Sequence, residues 1–277
     1  MIFNNKDLSL QVPRVMGILN VTPDSFSDGG AFKQLDAALR QAEQMLSQGA
    51  SFIDVGGEST RPGALDVSEQ EELDRVIPVI EAIHTRFDTI ISIDTSKALV
   101  MTQAVNAGAG LINDVRALRE PNALAAAAGA NVPVCLMHMA GQPTSMQLAP
   151  DYIDVVKQVA DFLQIRISAC IAAGIPEAKI IIDPGFGFGK SLAHNYQLLH
   201  KLEDLHGLKL PILVGMSRKS MLGTLLQRDV DDRLAGSIAV ATIAALKGVQ
   251  IIRVHDVKET VDAIKVVAML PKDNNNE

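Results

Sequence analysis

The stretch Ile180-Ile181-Ile182-Asp183-Pro184-Gly185-Phe186-Gly187-Phe188-Gly189-Lys190 decides the fold. Three β-branched residues ending in a carboxylate, followed by proline and alternating glycines, predict a fully buried strand that delivers Asp183 into a sharply turning loop. The loop comes close to two phosphate-binding patterns and satisfies neither. The Walker pattern needs glycine at 184, where the chain has Pro184, and the dinucleotide pattern needs glycine at 190, where it has Lys190. What remains is a strand-to-loop unit with its polar residue at the carboxyl end.

The unit recurs along the chain. Seven more short apolar runs end in polar residues, at 15–20, 52–58, 90–94, 111–114, 134–138, 212–219 and 251–255. Helical periodicity fills most of the gaps between them. Leu35, Leu39, Ala42 and Leu46 share one face before Gly49, and Leu73, Val76, Ile77 and Ile80 share another behind a Ser68/Glu71 capping box. Eight strand–helix units whose strands are too apolar to face water predict an α/β chain folded as a (β/α)8 TIM barrel, a fold that takes about 250 residues. A doubly wound sheet is the rival, and the number of units and the length favour the barrel. Residues 1–14 alternate apolar and polar around Asn4-Asn5-Lys6-Asp7, which predicts a short N-terminal β-hairpin over the amino-terminal mouth.

Composition sets limits on function. No Pro/Ser-rich linker or compositional shift divides the 277 residues, so one domain spanning 1–277 is expected. A formal charge of -7 argues against a general nucleic-acid surface, which needs clustered cations, so any anion site must be local. Cys135 in a strand and Cys170 on a helix read as reduced structural thiols, which suits a cytoplasmic protein. The chain opens without the basic start and apolar core of a signal peptide. Its most apolar stretch, 123–137, is broken by Gly129, Asn131 and Pro133, so no membrane span is expected.

The active site of a barrel lies at the carboxyl ends of its strands, where this chain gathers its polar residues. Strand one delivers Asn20 into residues 22–30, a loop with two acids, two serines and Phe26 that has the make-up of a mobile lid. Strand two leads into Ser59-Thr60-Arg61-Pro62-Gly63, a second arm carrying an anion ligand. Asp94, Asn113 and Asp114 end strands three and four. His138 ends strand five as ligand, base or satisfied core histidine, of which the last is favoured. Ser217-Arg218-Lys219-Ser220 opens a helix after strand seven, where unpaired N–H groups and two cations suit an anion. Arg253 and His255, two apart on strand eight, point the same way. Carboxylates in a barrel interior are costly unless they accept directed hydrogen bonds. A flat heterocycle with a guanidine-like N–H edge would satisfy Asp183 or Asp94 and offer a carbonyl to Lys219, while Arg61, Arg253 and His255 hold a phosphate on the same molecule. Other barrel chemistries fit less well: strand one lacks the two histidines of amidohydrolases, strand six lacks a Schiff-base lysine, and strand five offers His138 where enolase-type sites need an acid.

At this point the motifs resemble a known family. Residues 16–30, from Met16-Gly17-Ile18-Leu19-Asn20 to Asp28-Gly29-Gly30, are similar to the opening signature of the dihydropteroate synthases, and Asp54-Val55-Gly56-Gly57-Glu58-Ser59-Thr60-Arg61-Pro62-Gly63 is similar to their second. Asp94-Thr95-Ser96-Lys97, Ile112-Asn113-Asp114-Val115, Met137-His138-Met139, the 183–190 loop, Ser217-Arg218-Lys219-Ser220 and Arg253-Val254-His255-Asp256 follow in order, so the match runs from about residue 15 to 270. The resemblance implies a transferase that joins 4-aminobenzoate to a dihydropterin methyl diphosphate and releases pyrophosphate. It implies pterin binding by Asp94, Asn113, Asp183 and Lys219, with Asp94, Arg61 and Lys219 as the catalytic groups, and Mg2+ held on the diphosphate by Asn20. Thr60, Arg61, Arg253 and His255 would hold the phosphates. Phe26, Pro62, Phe188 and Ser220 would form the aminobenzoate pocket, and a homodimer is expected through the barrel helices. A methyltetrahydrofolate-corrinoid methyltransferase or a non-catalytic pterin-binding protein are the alternatives, and neither needs both loop motifs.

Overall fold

The computed structural model describes residues 1–22, 31–59, 66–141 and 151–271, without the side chains of 31–33. Eight parallel strands form one sheet: β3 (Arg14–Asn20), β4 (Phe52–Gly56), β5 (Ile90–Asp94), β6 (Leu111–Asp114), β7 (Val134–Met137), β8 (Ile180–Asp183), β9 (Leu213–Val214) and β10 (Ile251–Val254). Their hydrogen-bonded order is β8-β7-β6-β5-β4-β3-β10-β9, and a parallel bridge between Ile182 and Ile212 joins the two ends into a barrel. Helices α1 (Ala31–Ser47), α2 (Glu69–Arg86), α3 (Ala98–Asn106), α4 (Ala123–Ala130), α5 (Val155–Ala172) and α6 (Leu192–His200) each follow one strand. α7 (Ser220–Leu226) and α8 (Leu234–Leu246) follow β9, and α9 (Val257–Ala268) follows β10. The (β/α)8 barrel expected from the sequence is the fold.

Strand β8 shows why near-continuous apolar runs suit this architecture. Ile180 and Ile182 belong to the large core between sheet and helices, whereas Ile181 belongs to a separate cluster inside the barrel. Both faces are buried, so neither can carry a polar alternation. The inner cluster takes one residue from each strand: Met16, Phe52, Ile90, Leu111, Cys135, Ile181, Leu213 and Ile251. Phe3 plugs this ring from below. It comes from the hairpin of β1 (Ile2–Phe3) and β2 (Lys6–Asp7) and meets Phe52 edge-on, ring centroids 5.1 Å apart. The hairpin thus covers the amino-terminal mouth. Cys135 and Cys170 are both free and buried, and burial pushes their thiols upward, away from the reactive thiolate.

Two local expectations change. The run 212–219 is expected to carry strand seven ahead of a helix at Ser217, but only Leu213–Val214 forms β9, with Ile212 as a single bridge beside it. Beyond it the chain turns through Arg218 at φ +58°, whose N–H donates to Ser237 Oγ instead of to a strand. Ser68 caps α2 by accepting from the Glu71 N–H at 3.2 Å, yet the Glu71 carboxylate turns to Arg75 one helical turn on, so the capping box forms by half.

Candidate active site

Moving two residues along the strands from the apolar plug keeps the side chains inside the barrel, because the strand repeat is two. There the lining turns polar: Phe52 gives way to Asp54, Ile90 to Ser92, Leu111 to Asn113, Ile181 to Asp183 and Ile251 to Arg253. Asp54 and Ser92 are fully buried, and Asn113 and Asp183 are 4 % and 6 % exposed. A closed apolar floor therefore supports a polar layer at the carboxyl end.

The layer is wired together. Arg253 donates through Nε to Asp54 Oδ2 at 2.6 Å and through Nη2 to Asp94 Oδ2 at 2.8 Å, while Asn113 Nδ2 reaches Asp54 Oδ2 at 3.3 Å. Burial lifts the Asp94 carboxyl to about 7, with Arg253 opposing and the charges of Asp54, Glu72 and Asp114 adding to the rise. The Arg253 guanidinium is held firmly charged, since its carboxylate partners outweigh its desolvation. Above Gly56 the two strand ends converge: a Cβ at Gly56 would lie 3.7 Å from Asn20 Oδ1 and 3.8 Å from Asp94 Oδ2.

On the opposite side of the mouth, Asp183 accepts the Gly185 N–H at 2.7 Å, and burial raises its pKa against the pull of Lys219. Lys219 donates to the Phe186 carbonyl at 2.6 Å and sits 4.4 Å over the Phe188 ring. Its pKa falls to about 8 through burial, so the ammonium is poised to give up a proton or to hold a carbonyl strongly. Phe188 packs on Val115, Met137 and Met139, forming an apolar wall beside the polar layer.

The loop between these groups is built from within. Gly185, Gly187 and Gly189 take φ of +70°, +81° and +62°, which explains the alternating glycines. Lys190, 3 % exposed, turns its ammonium inward to the carbonyls of Gly185 (2.8 Å) and Phe188 (3.2 Å) and to His138 Nδ1 (2.9 Å). Burial is the chief cause of its pKa of about 7 and also holds His138 neutral. His138, packed at 4.9 Å from the Phe162 ring centroid, is a satisfied core histidine.

Of the remaining expected site residues, Ser220 is exposed at the start of α7, and His255 stands at the end of β10 with Ser217 Oγ 3.1 Å from its Nδ1. Phe26, Thr60, Arg61 and Pro62 lie outside the described residues. Asp114 serves the backbone, accepting from Arg116 and Leu118 N–H groups at 2.8 and 2.7 Å and from Ser96. Sequence reasoning passed over Asp54 and Lys190. The signal for Asp54 was its parity: an acid two residues after Phe52 and two before Gly56 has to face the barrel interior.

A buried acid–amide–cation layer at the carboxyl mouth of a (β/α)8 barrel defines a barrel enzyme for a polar heterocycle, and the class is that of the pterin binding enzymes, whose family model matches residues 16–255. The dihydropteroate synthase of Haemophilus influenzae is 58% identical over 263 residues, covering 95% of this chain and 96% of its own. The solved Yersinia pestis dihydropteroate synthase with a sulfonamide drug complex is 60% identical with a TM-score of 0.93, covering 97% of this chain and 98% of its own. That of Xanthomonas albilineans with 4-aminobenzoic acid is 51% identical with a TM-score of 0.90, covering 95% and 96%. The chain belongs to the dihydropteroate synthases, which are transferases.

The first test of the pterin assignment is Asp183→Asn. The amide would present a donor to N–H donors and lose its charge, so pterin affinity measured by calorimetry is expected to fall about tenfold to a hundredfold. Unchanged affinity would remove Asp183 from the pterin edge.

Proposed function

We propose that the polar layer joins 4-aminobenzoate to (7,8-dihydropterin-6-yl)methyl diphosphate, giving 7,8-dihydropteroate and pyrophosphate. Asp94, Asn113, Asp183 and Lys219 take the pterin edge. Thr60, Arg61, Arg253 and His255 take the diphosphate, and Phe26, Pro62, Phe188 and Ser220 take the aminobenzoate. The observation that carries this reading is Arg253, a part-buried guanidinium bridging Asp54 and Asp94 in the same layer as Asn113. A cation held beside the Asp94 carboxylate supports a substrate that carries an anionic leaving group next to a centre of developing positive charge. The 4-aminobenzoic acid bound by the Xanthomonas albilineans relative supports the second substrate.

The residues here fit a magnesium ion carried by the substrate. Among the described residues no three His, Cys, Asp or Glu side chains form a metal cage, while the Asn20 amide oxygen faces the mouth beside Asp94. Mg2+ typically takes one or two protein oxygens and completes its shell with phosphates and water. Asn20 would hold it, and when bound it would offset charge on the departing diphosphate. Arg61 and Arg253 stabilise the same charge. The Asp94 carboxylate stabilises the cationic methylene left on the pterin, and the amine of 4-aminobenzoate then attacks it. Phe188 and its apolar neighbours keep water, a competing nucleophile, from that carbon. No side chain forms a covalent intermediate.

Residues 1–277 act as one domain. The chain pairs as a homodimer, for which exposed Leu225, Leu226, Ile243 and Leu246 on α7 and α8 supply an apolar face. It works in the cytoplasm on small molecules, without nucleic acid or membrane. Two unpaired buried cysteines suit a reducing compartment, and no helix among the described residues is long and apolar enough to cross a membrane.

The experiment mixes the chain with the dihydropterin diphosphate, 4-aminobenzoate and Mg2+ and follows pyrophosphate with and without the amine. Release that tracks dihydropteroate formation is expected. Pterin binding without pyrophosphate would overturn the reading in favour of a methyltransferase or a binding protein.

A further inference from the structure

Asp54 has no part in the reaction described so far, yet it is the most deeply placed charge of the layer. It is fully buried at the middle of β4, paired in register with Ile18 on β3 and Ser92 on β5. One oxygen, Oδ2, receives both Arg253 Nε and Asn113 Nδ2. The other, Oδ1, is buried without a hydrogen-bond partner among the described residues, as is the neighbouring Ser92 Oγ. A buried carboxylate with one oxygen unsatisfied lowers stability, and a packed apolar residue would serve the fold better. Its cost implies a task.

The geometry of Arg253 supplies one. A guanidinium is a rigid planar fork, so fixing one N–H fixes the direction of the rest. Here the fork is gripped at two points of different depth. Asp54 holds Nε from within the barrel, with its own side chain 0 % exposed. Asp94 holds Nη2 at the mouth, with its side chain 11 % exposed. A substrate entering from the carboxyl face reaches the Asp94 contact first. If the pterin needs Asp94 and the diphosphate needs Arg253, both ligands require the same contact to open.

We propose that Asp54 is a positioning residue for the reaction. It is a fixed anchor on Arg253 Nε that keeps the guanidinium at the mouth while its Nη edge passes from Asp94 to the diphosphate, so that Asp94 is released to the pterin. The exchange replaces one anionic partner of Arg253 by another, and the guanidinium never stands unpaired in the barrel. The inference rests on the reading of Arg253 as a diphosphate ligand, and its test separates the two.

The test is a double-mutant cycle on the full chain: Asp54→Asn, Arg253→Lys and the pair, each titrated with inorganic pyrophosphate in Mg2+ by calorimetry. Asp54→Asn keeps the side chain's size and an oxygen for Nε but removes the charge. It is expected to weaken pyrophosphate on the order of tenfold. Arg253→Lys should weaken it as much or more, and the double variant should bind no worse than Arg253→Lys alone, because Asp54 acts through Arg253. A role in folding alone would instead lower the unfolding temperature and add its loss to that of Arg253→Lys. Should Asp54→Asn fail to fold, Asp54→Ser, which leaves room for a water in place of the carboxylate, takes its place in the cycle. Undiminished affinity in the Asp54 variant while Arg253→Lys is weakened, or additive losses, would overturn the anchor. Undiminished affinity in Arg253→Lys would overturn the diphosphate reading itself.

Discussion

Asp94→Asn is expected to lower turnover by about a hundredfold to a thousandfold, the scale on which removal of one preorganised electrostatic group slows an enzyme. The amide has the carboxylate's shape and keeps one acceptor for the N–H edge, but turns the other into a donor and loses the charge opposite the pterin methylene as the diphosphate leaves. The substitution also gives a pH signature. Burial lifts the Asp94 carboxyl to about 7, so in the ligand-free chain it gains a proton as pH falls through that value. The neutral acid cannot stabilise a cation. In the parent chain kcat/KM should therefore rise with pH below about 7, by roughly tenfold per unit well below it, and fall again as Lys219, lowered to about 8, loses its proton. In Asp94→Asn the acid limb should vanish while the alkaline one remains. Rates of pyrophosphate release from pH 5 to 9 check both points. A variant that keeps the limb would show that another group titrates there, and one that keeps its turnover would remove Asp94 from the chemistry.

The fold was legible in the sequence because each strand of a parallel barrel is buried on both faces and announces itself as an unbroken apolar run. Ile180, Ile181 and Ile182 divide between two cores, so none is free to be polar. The polar strand ends were legible for the same reason, since a carboxylate closing such a run needs a partner. Long-range pairing was not. Asp54 meets Arg253 across 199 residues of chain; its parity in the strand marks it as facing the barrel interior, but no local pattern names its partner. Lys97 binds Glu58 and Glu72, 39 and 25 residues away, and its place beside Asp94-Thr95-Ser96 suggested only a motif position. Lys190 followed a run of glycines and read as the failed end of a nucleotide motif. Its burial follows from the inward turn of the loop, which depends on carbonyls that only the folded backbone aims at one point. The brevity of β9 was hidden because Gly215 and Met216 continue an apolar run while the backbone leaves the sheet.

Gly185→Ala is expected to have the largest effect on stability among the substitutions considered, more than about 4 kcal/mol, a range reached by clashes and forbidden backbone at buried sites. A Cβ at 185 would lie 1.8 Å from the His138 carbonyl oxygen and 3.0 Å from its carbon, in a residue held at φ +70°. The obstacle is backbone and cannot rotate aside. Nor is it free to retreat, because the His138 N–H donates to the Asp183 carbonyl at 2.9 Å where β7 and β8 pair. Relief must come from the loop, and the loop positions the site. The Gly185 N–H fixes the Asp183 carboxylate, and the Gly185 carbonyl receives the Lys190 ammonium. Molecules that still fold should therefore bind pterin weakly, with Asp183 turned from its present direction. Gly129→Ala in α4 is the matched control, since a Cβ there meets nothing within 4 Å and alanine favours the helix by about 0.5–1 kcal/mol. Thermal unfolding should place Gly129→Ala at or slightly above the parent chain and Gly185→Ala well below it, by roughly 8–16 °C at about 2–4 °C per kcal/mol. If Gly185→Ala unfolds with the parent and binds pterin normally, the 183–190 loop has more freedom than its packing against His138 allows, and the arrangement of Asp183, Lys190 and Lys219 argued from it would have to be redrawn.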